Sequence, residues 1–169
     1  ANPLNVERTC GGSSGGEGAL VASGSTAAGI GSDILGSIRI PSSFCGLVGF
    51  KPASDAISKR GAWPDLTGRF MDSWLSVGPL TRSVRDSRLI YGVLAEQPPA
   101  PPSSPAGLHL ILPQDFPLTY HDPAIPAAVD MAGRILAGEG LVPQKMGFGQ
   151  VSRWYTMMSR YLGWELVPE

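Results

Sequence analysis

The residue types that could do chemistry crowd into the first third of this sequence. Residues 11–16 read Gly-Gly-Ser-Ser-Gly-Gly, so the hydroxyls of Ser13 and Ser14 lie between glycine pairs. Glycine tolerates positive φ and lets backbone approach backbone, so such a stretch can fold tightly around its serines. Ser37 follows 24 residues after Ser13, within Leu35-Gly36-Ser37-Ile38-Arg39. A serine beside glycine, directly after a strand-like run, suits a strand-to-helix turn with an exposed Oγ and several N–H groups nearby. Donors of that kind can hold an oxyanion, at about 2.7–4 kcal/mol each. The pattern is not the GxSxG elbow, because the second glycine is missing. A histidine-based triad has little support. His109 and His121 are the only histidines and neither has an evident orienting partner.

A flexible linker could share the Gly/Ser composition of residues 11–37. The neighbouring residues speak against it. Residues 19–22 (Ala-Leu-Val-Ala) are apolar and suit a helix, and residues 30–34 (Ile-Gly-Ser-Asp-Ile) suit a strand. A solvated linker needs neither.

The elements that must position these serines emerge from periodicity and punctuation. Residues 28–33 and 47–50 are strand candidates. Ser83-Val84-Arg85-Asp86 resembles a helix-capping pattern, and Leu89, Ile90, Val93 and Leu94 then predict an apolar helical face. Residues 98–105 are rich in proline, which fixes φ and lacks an N–H, so they predict an extended connector. The chain then divides into a first segment (1–97), that connector (98–105) and a following α/β segment of the same domain (106–169). In the last, residues 108–112 predict a buried strand before Pro113. Asp122-Pro123 predicts an N-cap and first helical position. Ile125, Val129, Ile135 and Leu136 come next at roughly helical spacing, and Gly138 and Gly140 end that helix. Residues 149–163 predict a further helix with Trp154, Met157, Met158, Tyr161 and Leu162 on one face, a stripe that suits core packing. Helices alternating with short strands imply an α/β class.

Composition sets bounds on function. The 169 residues suit one domain, and 43% hydrophobic content is enough for a sizeable core. The charged fraction, 16%, is low against a typical ~25%. A net charge of −1 leaves no basic footprint for nucleic acid. No run of about 18 apolar residues predicts a membrane span. The N-terminal residues lack the basic start and apolar stretch of a signal peptide; a cytoplasmic location is the default expectation. With Ala1 in place of an initiator Met, the chain is expected to belong to a longer or processed product. Cys10 and Cys45 read as two free thiols, and the distant histidines offer no zinc-ligand spacing, so no metal is expected.

Residues 10–52 resemble the amidase signature family, which includes fatty acid amide hydrolases, bacterial and fungal amidases, and the amidase subunit of tRNA amidotransferases. The resemblance rests on GGSSGG, the GSD strand, GSIR, IPSSFCG and GFKP, and on the later SVGPLTR at residues 76–82 with Asp86 after it. It implies a mixed twisted sheet surrounded by helices and a Ser–cis-Ser–Lys triad. Carried over by position, Ser37 is the nucleophile and Ser13 the bridging serine, with a cis peptide before it. The oxyanion is held by the N–H groups of Ile34, Leu35, Gly36 and Ser37. Ser14 supports the network, and Asp33 and Arg39 form a charge pair holding the turn. The implied substrate is a small-molecule amide, cleaved without metal or cofactor through an acyl-enzyme.

The sequence also departs from that pattern. The family's lysine lies well upstream of GGSSGG, and only ten residues precede Gly11-Gly12. Lys51, Lys59 and Lys145 are poor substitutes, so the chain is expected to be inactive alone and to need the remainder of its parent polypeptide. Leu35 stands where most members have glycine, which predicts a narrowed acyl site or a strained turn. Trp63, Phe70, Met71 and Trp74 are candidates for an apolar pocket, although packing explains them as well. A catalytically silent remnant is the alternative reading. An amidotransferase subunit is a third, disfavoured by Ile34-Leu35 in place of Thr-Gly.

Overall fold

The computed structural model describes residues 1–62, 65–98, 103–114, 122–147 and 157. Two compact units divide at Pro101/Pro102, within the proline-rich stretch. Each combines helices with strands, in keeping with the α/β class expected from the sequence.

In the first unit, α1 (Gly15–Ala22) leads into β1 (Ala28–Asp33), and α2 (Arg39–Phe44) into β2 (Val48–Gly49). A single 3₁₀ turn (Phe70–Ser73) precedes β3 (Ser76–Thr81), and α3 (Val84–Leu94) comes after it. The sheet order is β1-β3-β2, antiparallel throughout, with Ile30 opposite Pro79 and Val48 opposite Thr81. β3 is therefore central although it contains Gly78 and Pro79, residues that usually argue against a central strand. Both have a local reason. A Cβ at Gly78 would run into the Phe50 carbonyl oxygen, so only glycine fits there. The Pro79 carbonyl still accepts from Phe50 N–H at 3.1 Å, which extends the β2 edge past its two paired residues. Val21, Ile38, Cys45 and Leu80 are fully or almost fully buried and centre the core on this sheet.

The predicted cap of α3 forms. Ser83 Oγ accepts from Asp86 N–H at 3.1 Å and donates to Asp86 Oδ2 at 2.7 Å. The helix docks on only part of the expected face, with Ile90 and Leu94 half-buried. Ser87 and Gly92 are buried, while Leu89 and Val93 are 60% and 70% exposed. Small residues let the helix sit close to the sheet, and Tyr91 meets Phe50 edge-to-face at 5.1 Å.

The second unit is a parallel β4–α4–β5 element, with β4 at His109–Gln114, α4 at Ala124–Gly138 and β5 at Val142–Gly147. Pro113 lies within β4 and does not end it. The helix starts one residue later than predicted. Pro123 takes the N-cap position, and Asp122 Oδ1 accepts from Ala124 N–H at 2.9 Å. Gly138 is its last residue and Gly140 has φ +92°. Its buried residue is Gly133, against which Leu112 packs, and Pro126, Val129 and Ala137 lie on the same stripe. Of the predicted face only Val129 belongs to it, and Ile125, Ile135 and Leu136 are exposed. The helix expected over residues 149–163 falls outside the described residues, Met157 apart.

Candidate active site

Ser37 sits in the turn between β1 and α2, and the reason the turn closes there is Asp33. Asp33 ends β1 with no exposed surface. Its Oδ1 accepts from Gly36 N–H at 2.7 Å, and its Oδ2 accepts from Ile38 N–H at 3.1 Å and Arg39 N–H at 3.3 Å. The Arg39 guanidinium adds two bonds, Nε to Oδ2 and Nη2 to Oδ1, both 3.0 Å. Burial alone would raise the pKa of this carboxyl group. The Arg39 side chain and the three N–H donors outweigh it and bring the pKa to about 2. The expected charge pair is thus present, and it grips the turn through its backbone as well as through Arg39.

Gly36 has φ +120°, and a Cβ there would come 2.8 Å from Ile40 Cδ1. The glycine requirement in this turn falls on Gly36. Leu35 has no positive φ, so the expected backbone strain at Leu35 is absent, and its side chain is 52% exposed. The Gly36 N–H points at Asp33, so in this structure it is not free for an oxyanion. Among the described residues, the N–H groups of Ile34, Leu35 and Ser37 have no intramolecular acceptor.

The glycine-rich loop meets this turn directly. Ser14 N–H donates to the Ser37 carbonyl at 3.2 Å. The Gly12–Ser13 peptide is cis, and Gly11 has φ +75° where a side chain would meet Ile40 and Phe44. Ser14 is the N-cap residue of α1, and a Cβ at Gly31 would lie 2.5 Å from its Oγ, so β1 needs glycine beside this loop. No hydrogen bond joins the Ser13 and Ser37 hydroxyls among the described residues. The structure brings Ser13, Ser14, Asp33, Gly36, Ser37 and Arg39 to one place around the ends of α1, β1 and α2.

An open groove of about 380 Å³ lies beside Ser13 and Ser14 and is also lined by Glu17, Gly31, Lys59 and Arg60. Sequence reasoning did not place Glu17, Lys59 or Arg60 there, and no motif marks them. The lysines of the first unit are engaged. Lys59 Nζ pairs with Asp72 Oδ1 at 2.6 Å and donates to the Asp72 carbonyl at 2.6 Å. Lys51 Nζ donates to Ser76 Oγ at 2.9 Å, and the buried Ser76 hydroxyl donates to the Pro52 carbonyl. Of the apolar pocket candidates, Met71 is buried and Phe70 packs on Trp74 at 5.6 Å; Trp63 lies outside the described residues.

Comparisons with known proteins agree with this arrangement on a class. The family model for Amidase matches residues 1–164, so this chain belongs to the amidase family. Among solved structures, it superposes on a crystal structure of an amidase with TM-score 0.73 and 34% identity, covering 87% of this chain and 32% of that one. It superposes on a fatty acid amide hydrolase with TM-score 0.66 and 29% identity, covering 88% and 28%. Among sequences, the vitamin D3 hydroxylase-associated protein of Gallus gallus is 57% identical over 84 residues, 49% of this chain and 18% of that protein. A glutamyl-tRNA(Gln) amidotransferase subunit of Carboxydothermus hydrogenoformans is 34% identical over 182 residues, 99% of this chain and 36% of that protein. The chain thus spans about a third or less of the length of these relatives. No helix among the described residues is long and apolar enough to cross a membrane.

Proposed function

We propose that this chain is the segment of a serine amidase that carries the nucleophile, Ser37, and the bridging serine, Ser13. The parent cleaves a small-molecule carboxamide to a carboxylate and ammonia or an amine. The observation that carries this reading is the 3.2 Å bond from Ser14 N–H to the Ser37 carbonyl, which ties the two serine motifs together across 23 residues of sequence. The buried Asp33 supports it by holding the Ser37 turn through three backbone N–H groups.

In this mechanism a neutral lysine takes a proton from Ser13 as Ser13 takes one from Ser37. Ser37 Oγ attacks the amide carbonyl carbon, and the carbonyl oxygen becomes an oxyanion facing the N–H groups of Ile34, Leu35 and Ser37. The Gly36 N–H joins them only if it turns away from Asp33. The amine leaves with the returned proton, and water hydrolyses the acyl-Ser37 ester. Lys59 is held as the cation of an ion pair and Lys51 donates to a buried hydroxyl, so neither is set up as the base. The base is supplied by a lysine outside these 169 residues, and the chain by itself is inactive.

A fluorophosphonate probe with peptide mapping tests this. The folded 169-residue chain is expected to stay unlabelled. A longer parent chain containing the lysine is expected to be labelled at Ser37, with the label lost in Ser37→Ala. Labelling of the isolated chain at Ser37 would overturn the assignment of the base. A lysine-containing parent that stays unlabelled would favour a catalytically silent member of the family.

A further inference from the structure

Leu35 lies two residues before Ser37, in the turn between β1 and α2, and 52% of its surface is exposed. Its neighbours hold the turn together. Asp33 and Ile38 have no exposed surface, Gly36 is buried, and Arg39 pairs with Asp33. A Cβ at Gly36 or at Gly11 would come 2.8 Å from an Ile40 carbon, so the Ile40 side chain reaches both the Ser37 turn and the glycine-rich loop. Leu35 has no such task. Its N–H has no intramolecular acceptor, and in the proposed mechanism it faces the oxyanion. The Leu35 Cβ is two bonds, about 2.5 Å, from that nitrogen. An oxyanion held about 2.9 Å from the nitrogen therefore brings the substituents of the reacting carbon against the Leu35 side chain. The two sides of Ser37 decide which substituent that is. The glycine-rich loop is tied to the C-terminal side, through Ser14 N–H and the Ser37 carbonyl, and Ser13 in that loop returns the proton to the leaving amine. The amine faces the loop, so the acyl group faces the N-terminal side, where Leu35 stands.

We propose that Leu35 is a specificity-determining residue that restricts the parent enzyme to amides unbranched at the acyl carbon next to the carbonyl. This rests on Ser37 being the nucleophile. A methyl or methylene group at that carbon passes the leucine, whereas a quaternary carbon places further methyl groups where the leucine already lies. A misfit of that size is worth roughly 10–200-fold in rate per methylene. The backbone does not require leucine here, because Leu35 has no positive φ. Shortening the side chain opens the acyl side and leaves the turn in place, since Asp33 holds it through Gly36, Ile38 and Arg39.

The test uses the lysine-containing parent chain and two fluorophosphonates that share one alkoxy group, a methylphosphonofluoridate and a tert-butylphosphonofluoridate. Ser37 Oγ displaces fluoride from phosphorus, so the alkyl group on phosphorus takes the acyl position. The rate of labelling at Ser37, located by peptide mapping, then reports the fit. Leu35→Gly is expected to raise the tert-butyl rate relative to the methyl rate by roughly tenfold or more over the parent, and Leu35→Ala by an intermediate factor. An unchanged ratio in Leu35→Gly overturns the proposal, while labelling at Ser37 still supports the nucleophile. Absence of labelling at Ser37 by either probe in the folded parent overturns the nucleophile assignment and this proposal with it.

Discussion

Asp33 joins the two things this site needs at the scale of a single residue, a sharp turn and a fixed Ser37. Five hydrogen bonds converge on its carboxylate, three from backbone and two from Arg39. Removing it leaves buried N–H groups and the Arg39 charge without their acceptor. Breaking a buried pair typically costs ~3–5 kcal/mol, and the low end applies because Arg39 is 54% exposed and can rehydrate. Asp33→Ala is therefore expected to lower unfolding stability by roughly 3 kcal/mol in urea titrations at neutral pH. Gly36→Ala is expected to be destabilising too, since φ +120° excludes an L side chain and Ile40 occupies the space. Leu35→Gly should have no comparable effect, because Leu35 has neither a positive φ nor a buried side chain. Parallel urea titrations of the two variants separate these expectations.

At the scale of elements, capping and packing make different demands on α3. The Ser83 cap satisfies a donor of the first turn, and Ser83→Ala is expected to cost about 1 kcal/mol by urea midpoint. Leu89 and Val93 carry the apolar pattern but face outward in this chain. Replacing both with alanine is expected to change stability by less than about 0.5 kcal/mol per site, as for other exposed positions. A larger loss would mean that this face packs against something in the folded chain. Gly78 in β3 is the opposite case. An alanine there has no space beside the Phe50 carbonyl, so Gly78→Ala is expected to break the β2–β3 pairing and abolish cooperative unfolding of the first unit.

At the scale of the whole molecule, the buried carboxylate makes stability depend on acid. The Asp33 pKa is about 2 in the folded chain against an ordinary aspartate value of 3.8. Its contribution, roughly 2 kcal/mol, is full above the unfolded value and is lost as pH falls from about 4 towards about 2. Urea midpoints at pH 7, 4 and 2.5, followed by tryptophan fluorescence, should fall mainly between the last two. Asp33→Asn should flatten that step, because its side chain does not titrate.

Much of the site was legible in residue order because the motifs around Ser13 and Ser37 resemble a family pattern, while the β1 strand 28–33 and the Ser83 cap are local patterns. The glycines around Ser13 and Ser14 and before Ser37 permit the tight turns without dictating them, and Gly11 and Gly36 take positive φ there. Other features needed the folded chain, because they depend on partners distant in sequence. Residues 76–81 contain Gly-Pro and look like a poor strand until Phe50 is found against them, 28 residues away from Gly78. The docking faces of α3 and α4 are lined by Ser87, Gly92 and Gly133, whose value is closeness of approach and not hydrophobicity, so apolar periodicity pointed to their neighbours. The engagement of Gly36 N–H by Asp33 and the ion pair that occupies Lys59 are likewise tertiary. Sequence supplied the chemical groups and their local turns, while the pairings among them were decided by which distant atoms the sheet and its flanking helices brought within hydrogen-bonding distance.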